Sequence, residues 1–417
     1  MIMKILDFIR KKENYVKYGI PLLLFLVGLS LPSPFFRGKK ILLQKEVFVE
    51  LSDTTNMSLG EGIYNGTVKK GTSIRYGYGK YEIKGESYEG EWKDDLLPYG
   101  IRTNKSYVYK GRFNKELENH GFGIAEYTSE YVKKKQQQGN KDSDVFKQYI
   151  GNWKNDKKEG LGRSIMNDGM MVFGSYSNGV LQRADGANFR IGGCVYGIDV
   201  SSHQSYIDWD NLAIYCNSNG MACETPPSGT NYLQPVFFAY IKATEGATYK
   251  YDYYNIRTIE AERHGIVKGA YHFLRLTSKV EDQLKNFFET ATWTKGDLPP
   301  ALDIEYEHEI TKYGEDVFYD TVIKWLQGVE KKMGVKPVIY TNENIRNKYI
   351  NDERLKGYDV WIAKYGGEPE NFDWIIRQVY EHGKIKGNKG IIDINLYKGD
   401  YNAFEKYING LEMEVND

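Results

Sequence analysis

The stretch LPPALDIEYEHE, residues 298–309, is a short apolar run that ends in a series of carboxylates. Leu302 and Ile304 alternate with Asp303 and Glu305, which is the two-residue period of a β-strand. In a strand, Asp303 and Glu305 would share one face at its carboxyl end. The stretch therefore predicts a buried strand whose end carries chemistry.

The region around this stretch, residues 194–410, alternates similar apolar runs with helical segments. Runs of continuous hydrophobicity are typical of parallel strands that helices cover on the outside. Eight such runs suggest a closed barrel, and the later links are too short for full helices. We therefore predict an α/β fold with an incomplete (β/α) barrel of eight strands. The runs are VYGIDVS, VFFAYIKATEG, VKGAYHFL, PALDIEY, KPVIYTN, DVWIAKY, IIRQVYE and IDINLYKG.

Polar and aromatic residues recur near the ends of these runs, where barrel enzymes keep their active sites. A single aspartate at a strand end is most often a turn or cap residue. Six strands that end in a carboxylate, an imidazole or an aromatic hydroxyl are harder to explain in that way. The aromatic members have barrel packing as their alternative role.

Four acids at one mouth repel one another, so some of them must hold protons or accept hydrogen bonds. Glycoside hydrolysis needs such a difference, because one carboxyl group donates a proton to the leaving oxygen while an ionised one stabilises the positive charge at the sugar ring. The predicted catalytic residues are Asp199, Asp303, Glu305 and Asp393. The predicted substrate-binding residues are Glu245, His272, Tyr340, Trp361, Tyr365, Gln378 and Asn395.

The motifs YGIDVSSHQ, FAYIKATEG, GAYHF, ALDIE, VIYT, WIAKY and IDIN resemble the glycoside hydrolase family 25 lysozymes, the Chalaropsis type, across nearly all of residues 195–407. The resemblance implies hydrolysis of the β-1,4 bond between N-acetylmuramic acid and N-acetylglucosamine in peptidoglycan. It implies that Glu305 is the proton donor and Asp303 the second acid of the D-x-E pair. One departure concerns the seventh strand, where residues 377–379, R-Q-V, replace the usual W-Q-Y; the local sugar contact loses both of its aromatic residues, although Tyr380 is adjacent.

The sequence leaves the mechanism and one rival function open. Carboxyl groups about 5 Å apart suit a retaining double displacement, and a wider separation suits direct attack by water. A third route, in which the acetamido group of the substrate attacks and Asp303 orients it, is the hypothesis we favour. The rival function is a non-catalytic barrel that binds glycan, and the complete set of four acids favours the enzyme.

Residues 60–185 show a repeated pattern of their own. YNGTV, YEGEW, YKGRF, YIGNW and VFGSY share one form, and glycine-containing pieces follow the first four. The two-residue alternation predicts an all-β stack of hairpins with one aromatic face. The units resemble the MORN family, which implies an elongated stack used for protein or membrane contacts. Aromatics that pack one hairpin on the next are favoured over aromatics that serve as sugar platforms.

The first forty residues differ from the rest. A basic flank precedes the uncharged apolar segment 18–36, which predicts an N-terminal hydrophobic helix, an amino terminus inside the cell and export of the remainder. Residues 28–30, Gly-Leu-Ser, also fit a signal-peptidase site, so residues 1–40 are either an uncleaved membrane anchor, slightly favoured, or a cleaved signal peptide. We expect a membrane-anchored or secreted protein with its barrel in the periplasm or outside the cell.

Composition limits the partners. The 417 residues carry 56 basic and 56 acidic side chains, so no global charge favours nucleic acid. Cys216 and Cys223 flank a polar loop and could form a disulfide in an oxidising compartment. No cysteine or histidine cluster has metal-site spacing, so we predict no metal or other cofactor. The expected partners are peptidoglycan strands, a membrane through residues 18–36, and a protein bound by the repeats.

Overall fold

The structure, a computed structural model, describes residues 51–52, 54–184, 189–228 and 232–411. The predicted hydrophobic helix and the segment 18–36 lie outside these residues. Within the described ranges, no helix has the length and apolar character needed to cross a membrane.

The amino-terminal part of the described chain is one antiparallel sheet of eleven strands, each paired with the next in sequence. The predicted hairpins are confirmed, because each Y-x-G-x-aromatic unit lies in one strand and the glycine-containing piece after it lies in the next. Helix α1 (Ser129–Gln137) lies in the long insert between the seventh and eighth strands. The strands are β1 (Thr55–Leu59), β2 (Gly62–Val68), β3 (Arg75–Ile83), β4 (Glu86–Trp92), β5 (Tyr99–Thr103), β6 (Tyr107–Phe113), β7 (Asn119–Tyr127), β8 (Phe146–Lys154), β9 (Lys157–Met166), β10 (Met171–Ser177) and β11 (Val180–Ala184).

The tyrosine and the glycines of each repeat fit together. Gly66 and Gly79 face each other across β2 and β3. The ring of Tyr64 lies over this pair, and its hydroxyl donates to the Thr67 carbonyl at 3.0 Å. A Cβ at Gly79 would lie 2.2 Å from the Tyr64 hydroxyl oxygen, so only glycine leaves room for the ring. The arrangement recurs for Tyr109 over Gly111 and Gly123, and for Tyr149 over Gly151 and Gly162.

The aromatic side chains of the repeats are buried against one another. Tyr64, Tyr109 and Tyr149 are fully buried. Edge-to-face contacts join neighbouring hairpins, with ring centroids 5.9 Å apart for Tyr64 and Trp92. These rings pack one hairpin on the next and are not available to stack on a sugar.

The carboxyl-terminal part forms a closed barrel of eight strands, in agreement with the predicted number. Pairing of the first strand with the second closes the ring. All neighbours are parallel except the last strand, which is antiparallel to both of its neighbours. The strands of this part are β12 (Val195–Val200), β13 (Ala213–Cys216), β14 (Tyr232–Pro235), β15 (Phe238–Glu245), β16 (Tyr249–Lys250), β17 (Val267–Phe273), β18 (Ala301–Ile304), β19 (Val338–Asn342), β20 (Val360–Ala363), β21 (Ile376–Gly383) and β22 (Ile392–Tyr397). Three of them lie outside the ring, since β13 and β14 form a separate hairpin and β16 extends one edge.

Helices cover the first part of the barrel and are missing from the later links. The described connections from β20 to β21 and from β21 to β22 hold no helix, which is the incompleteness that the sequence predicted. No disulfide bond joins Cys216 and Cys223. The helices are α2 (Tyr254–Arg263), α3 (Val280–Phe288), α4 (Glu307–Tyr313), α5 (Glu315–Met333), α6 (Glu343–Ile345) and α7 (Tyr401–Asn409).

Alternation along the barrel strands builds two apolar cores. Leu302 and Ile304 belong to the core between strands and helices. Tyr240 and Trp361 belong to the core inside the barrel, which α7 closes at the amino-terminal ends of the parallel strands through Phe404. Asp303 and Glu305 lie at the opposite end, where the carboxyl ends of these strands form the mouth.

The repeat sheet packs against the barrel at the closed end. Asn152 on β8 donates to the Asp210 carbonyl at 2.8 Å, and Arg112 on β6 binds the Asp210 carboxylate at 2.7 Å. The ring of Phe122 on β7 contacts the ring of His264 with centroids 4.2 Å apart. The mouth of the barrel therefore faces away from this junction.

Candidate active site

The four predicted acids are brought together at the mouth as two pairs. Asp199 on β12 lies directly opposite Asp393 on β22. Asp303 and Glu305, at the end of β18, are close enough to share a hydrogen bond. The charge of Asp199 acts on both members of the second pair, so the pairs form one electrostatic unit.

Asp199 is the acceptor at the centre of a hydrogen-bond network. The side-chain N–H of Gln378 donates to Asp199 Oδ2 at 2.9 Å. The carbonyl oxygen of the same Gln378 accepts the hydroxyls of Tyr340, at 3.1 Å, and Tyr365, at 2.8 Å. Because both hydroxyls bind the oxygen, they fix the amide so that its N–H points at Asp199.

Asn395 provides the second donor to Asp199. Its side-chain N–H lies 2.9 Å from Asp199 Oδ2, while its oxygen accepts the indole N–H of Trp361 at 2.8 Å. Trp361 is 2% exposed and stacks on Tyr240 with centroids 4.4 Å apart. The structure therefore places Trp361 and Asn395, both predicted to bind substrate, beneath Asp199, where they position this carboxylate.

Tyr365 is the predicted aromatic with the most open surface. It is 43% exposed, compared with 8% for Tyr340. Its hydroxyl donates to Gln378, while much of the rest of the side chain is open to solvent.

The first acid pair holds one proton. Burial, the charge of Asp199 and the hydrogen bond between the two carboxyl groups together raise the pKa of Asp393 to about 10. Burial also raises the pKa of Asp199, but donors from Asn395, Gln378 and Asp393 oppose that rise. The proton therefore resides on Asp393, which donates to an ionised Asp199.

The second acid pair differs in exposure. Asp303 is 4% exposed, whereas Glu305 faces solvent. Burial raises the pKa of Asp303 well above its usual value, and repulsion from Glu305 adds to the rise. Burial raises the pKa of Glu305 as well, while the hydrogen bond from Asp303 lowers it. In the free protein, Asp303 therefore holds the proton and donates to Glu305.

A group of charged residues flanks this pair. Lys242 binds Glu245 at 2.8 Å, and Arg275 binds the other oxygen of Glu245 at 2.9 Å. Burial alone would raise the pKa of Glu245, but the two cations hold it below its usual value. The charge of Lys242 also lowers the pKa of Asp303 and of Glu305. Glu245 is thus an ionised partner that holds Lys242 beside the acids.

His272 is not brought to the mouth. It is fully buried and stacks on Trp325 of α5 with centroids 5.5 Å apart. Its Nε2 donates to the Gln283 oxygen at 3.0 Å, and its Nδ1 accepts the Thr244 hydroxyl at 2.7 Å. Burial lowers its pKa to about 4. His272 is a neutral residue of the outer core.

Tyr271 occupies the inward position of β17, next to His272, and was not predicted from the sequence as a site residue. Its ring contacts Trp361 inside the barrel at 6.4 Å. Burial raises the pKa of Tyr271 well above its usual value, and the neighbouring acids at the mouth add to that rise. The phenol therefore stays protonated beside the acids. Tyr271 lies two residues before Phe273, whose ring is next to Lys242 at the rim.

Comparison with known proteins places the barrel among characterised families. A sequence model described as glycosyl hydrolases family 25 matches residues 198–388. The uncharacterized protein YegX of Escherichia coli O157:H7 is 30% identical over 226 residues, which are 52% of this chain and 75% of YegX. Lysozyme M1 of Streptomyces globisporus is 28% identical over 260 residues, 58% of this chain and 80% of that protein. The bacterial lysozyme structure from Streptomyces coelicolor is 26% identical, spans 52% of this chain and 97% of its own, and gives a TM-score of 0.43.

Proposed function

The chain belongs to the glycosyl hydrolases family 25 through its carboxyl-terminal barrel, and we propose that this barrel is a muramidase that cleaves the β-1,4 bond between N-acetylmuramic acid and N-acetylglucosamine in peptidoglycan. The observation that carries the proposal is the pair of exposed Glu305 and buried Asp303 opposite an ionised Asp199. This arrangement supplies one carboxyl group that reaches the leaving oxygen and another that faces the developing positive charge. The name of the relative Lysozyme M1 agrees with this assignment.

Asp303 and Glu305 are suited to exchange their proton when substrate binds. Asp303 Oδ1 is buried and has no hydrogen-bond partner among the described residues. An acetamido N–H of the substrate that donates to the Asp303 carboxylate would favour the ionised form of Asp303, as does the charge of Lys242. The proton then passes along the hydrogen bond to Glu305. Glu305 becomes the acid that protonates the leaving oxygen, and Asp303 orients the acetamido group for attack on the anomeric carbon.

Asp199 completes the site from the other side of the mouth. Its charge, held by Gln378, Asn395 and Asp393, is placed to stabilise the positive sugar ring. The stereochemical outcome tests the mechanism, since nuclear magnetic resonance of the first-formed product anomer distinguishes retention from inversion. Net inversion would exclude both the acetamido route and a double displacement by a carboxylate.

A turbidity assay on purified peptidoglycan tests the activity. We expect the wild type to clear the suspension and Glu305→Gln to lose about 100-fold or more of the rate, because general acid catalysis contributes about 10²–10⁴-fold. Glu307→Gln is the matched control, since Glu307 lies two residues further on and binds Lys348 at 2.6 Å. We expect that variant to keep the wild-type rate.

The alternative function is a glycan-binding barrel without catalysis. It predicts that wild type and Glu305→Gln bind sedimented peptidoglycan equally while neither clears it at any pH from about 4 to 9. Release of reducing ends by the wild type alone would exclude this alternative.

We also propose that the chain is exported, with residues 18–36 as a membrane anchor and the repeat sheet as a MORN-type surface for a protein or membrane partner. The basic flank before the apolar segment and the repeated Y-x-G-x-aromatic units support this proposal. Mass spectrometry of the mature amino terminus tests the anchor. A mature chain that begins near residue 31 would exclude the anchor and leave a secreted protein.

A further inference from the structure

A cavity lies where the repeat sheet meets the closed end of the barrel. Phe122, Leu161, Arg163 and Phe173 line it from the sheet, and Trp209 and His264 line it from the barrel. The empty space is about 410 Å³, including the part open to solvent. The cavity is on the opposite side of the barrel from Asp303 and Glu305 and takes no part in the proposed hydrolysis.

Arg163 on β9 carries an uncompensated charge in this cavity. The residue is 7% exposed, and its guanidinium carbon lies over the Phe237 ring, 4.8 Å from the ring centroid. Contact with an aromatic ring does not replace the hydrogen-bond acceptors that the five N–H groups of a guanidinium require. Among the described residues, no side chain or backbone group forms a hydrogen bond or ion pair with the Arg163 guanidinium, and its Nε is buried without an acceptor.

The other charged groups at the cavity do not neutralise Arg163. Asp210 already binds Arg112 at 2.7 Å and His264 at 2.8 Å. Glu405 acts on Arg163 only at longer range, and burial lowers the pKa of the Arg163 guanidinium in spite of it. A buried charge without a partner is costly, because its lost hydration is not replaced.

We propose that this cavity binds a small oxyanion, a phosphate or carboxylate group, with the free N–H edge of Arg163 as its partner. A guanidinium edge binds two oxygens of such a group at once. The apolar side chains of Leu161 and Phe173 limit access of water, which strengthens the attraction. Because both the sheet and the barrel line the cavity, a bound anion stabilises the junction between them.

Thermal unfolding of the full chain tests the proposal. Phosphate and acetate are each titrated at constant ionic strength, with chloride as the balancing anion. We expect phosphate, acetate or both to raise the melting temperature saturably, by roughly 3 °C at a hundredfold excess over Kd. Isothermal calorimetry with the same anions then reports one site per chain. The anion that acts alone, or acts at lower concentration, identifies the phosphate or carboxylate source.

Two variants locate the site. Arg163→Met should abolish the response, and in chloride alone it should melt above the wild type, since it removes an unpaired buried charge. Arg263→Met is the matched control, because Arg263 lies on α2 near the junction, stacks on Tyr99 and does not line the cavity. It should respond as the wild type does.

Equal effects of phosphate, acetate and chloride on the wild type would overturn the proposal, and so would an undiminished response of Arg163→Met. If Arg163→Met does not fold, Leu161→Phe keeps the arginine and fills part of the cavity. Saturable binding that Leu161→Phe weakens by tenfold or more supports the site, and binding that it leaves unchanged refutes it.

Discussion

Removal of the two tyrosine hydroxyls that bind Gln378 should destabilise the protein in a non-additive way. Tyr340 and Tyr365 both donate to the same Gln378 oxygen, and the Gln378 N–H donates to Asp199. With one hydroxyl left, the amide keeps its orientation. With neither, the amide is free to rotate and present its oxygen to the Asp199 carboxylate.

The magnitude follows from these bonds. Each Tyr→Phe substitution removes one neutral hydrogen bond and should lower the free energy of unfolding by about 1 kcal/mol. The double variant also leaves the carbonyl of Gln378, a 4% exposed residue, without a donor, and weakens the bond to Asp199. An unsatisfied buried group costs about 1–3 kcal/mol more. We therefore expect a total loss of about 3–5 kcal/mol and a coupling energy of about 1–3 kcal/mol.

Urea denaturation of the four proteins at pH 7 measures this coupling without substrate, so sugar contacts of the tyrosines do not enter. The control cycle combines Tyr340→Phe with Tyr109→Phe, which removes the distant bond to the Arg112 carbonyl. That cycle should be additive within about 0.5 kcal/mol. Additivity in the Tyr340 and Tyr365 cycle as well would refute the role of the hydroxyls in orienting Gln378.

Three further predictions concern buried groups. Asp393→Asn keeps a hydrogen-bond donor toward Asp199 and should lower the free energy of unfolding by less than about 1 kcal/mol. Asp199→Asn places an amide where the side-chain N–H groups of Gln378 and Asn395 now bind a carboxylate, and should lower it by about 2 kcal/mol or more. Urea denaturation measures both values. Burial lowers the pKa of Lys158 from 10.5 to about 7, so the unfolded chain binds more protons between these values and stability rises with pH across this window. The gain from Lys158→Met should accordingly be greatest at or below pH 7, at most about 5 kcal/mol, and should vanish toward pH 10.5; a gain that does not change with pH contradicts this. Gly79→Ala should lower the melting temperature by several degrees because its Cβ meets the Tyr64 ring, while Gly390→Ala, with open space around it, should not change it.

The strand pattern was sufficient to predict the barrel and the meeting of its acids. Asp303 and Glu305 fall on one face because Leu302 and Ile304 alternate with them, and this alternation does not depend on how the helices pack. The hairpins could also be predicted from the repeats, since the tyrosine of each unit needs the two glycines beneath it for steric reasons. Both features depend on short-range geometry, which follows directly from the order of residues in the sequence.

The direction of a strand buried on both sides is harder to predict. In β17, Tyr271 and His272 are flanked by apolar residues in either direction, so hydrophobicity does not show which faces the barrel interior. An imidazole near a strand end favours His272 as a site residue, yet its partner Gln283 comes from a helix whose position the sequence alone does not show. The same question of direction arises for residues 377–379, Arg-Gln-Val. Val379 belongs to the outer core, so of these three residues only Gln378 points at the acids.

The position of the repeat sheet limits what it can do for the barrel. It contacts the closed end through Asp210 and His264, while Glu305 is exposed at the open end. A polymeric glycan can therefore enter the mouth without displacing the sheet. Any influence of the repeats on the acids must pass through the barrel strands, and the cavity beside Arg163 is the place in the junction where a bound group would act on sheet and barrel together.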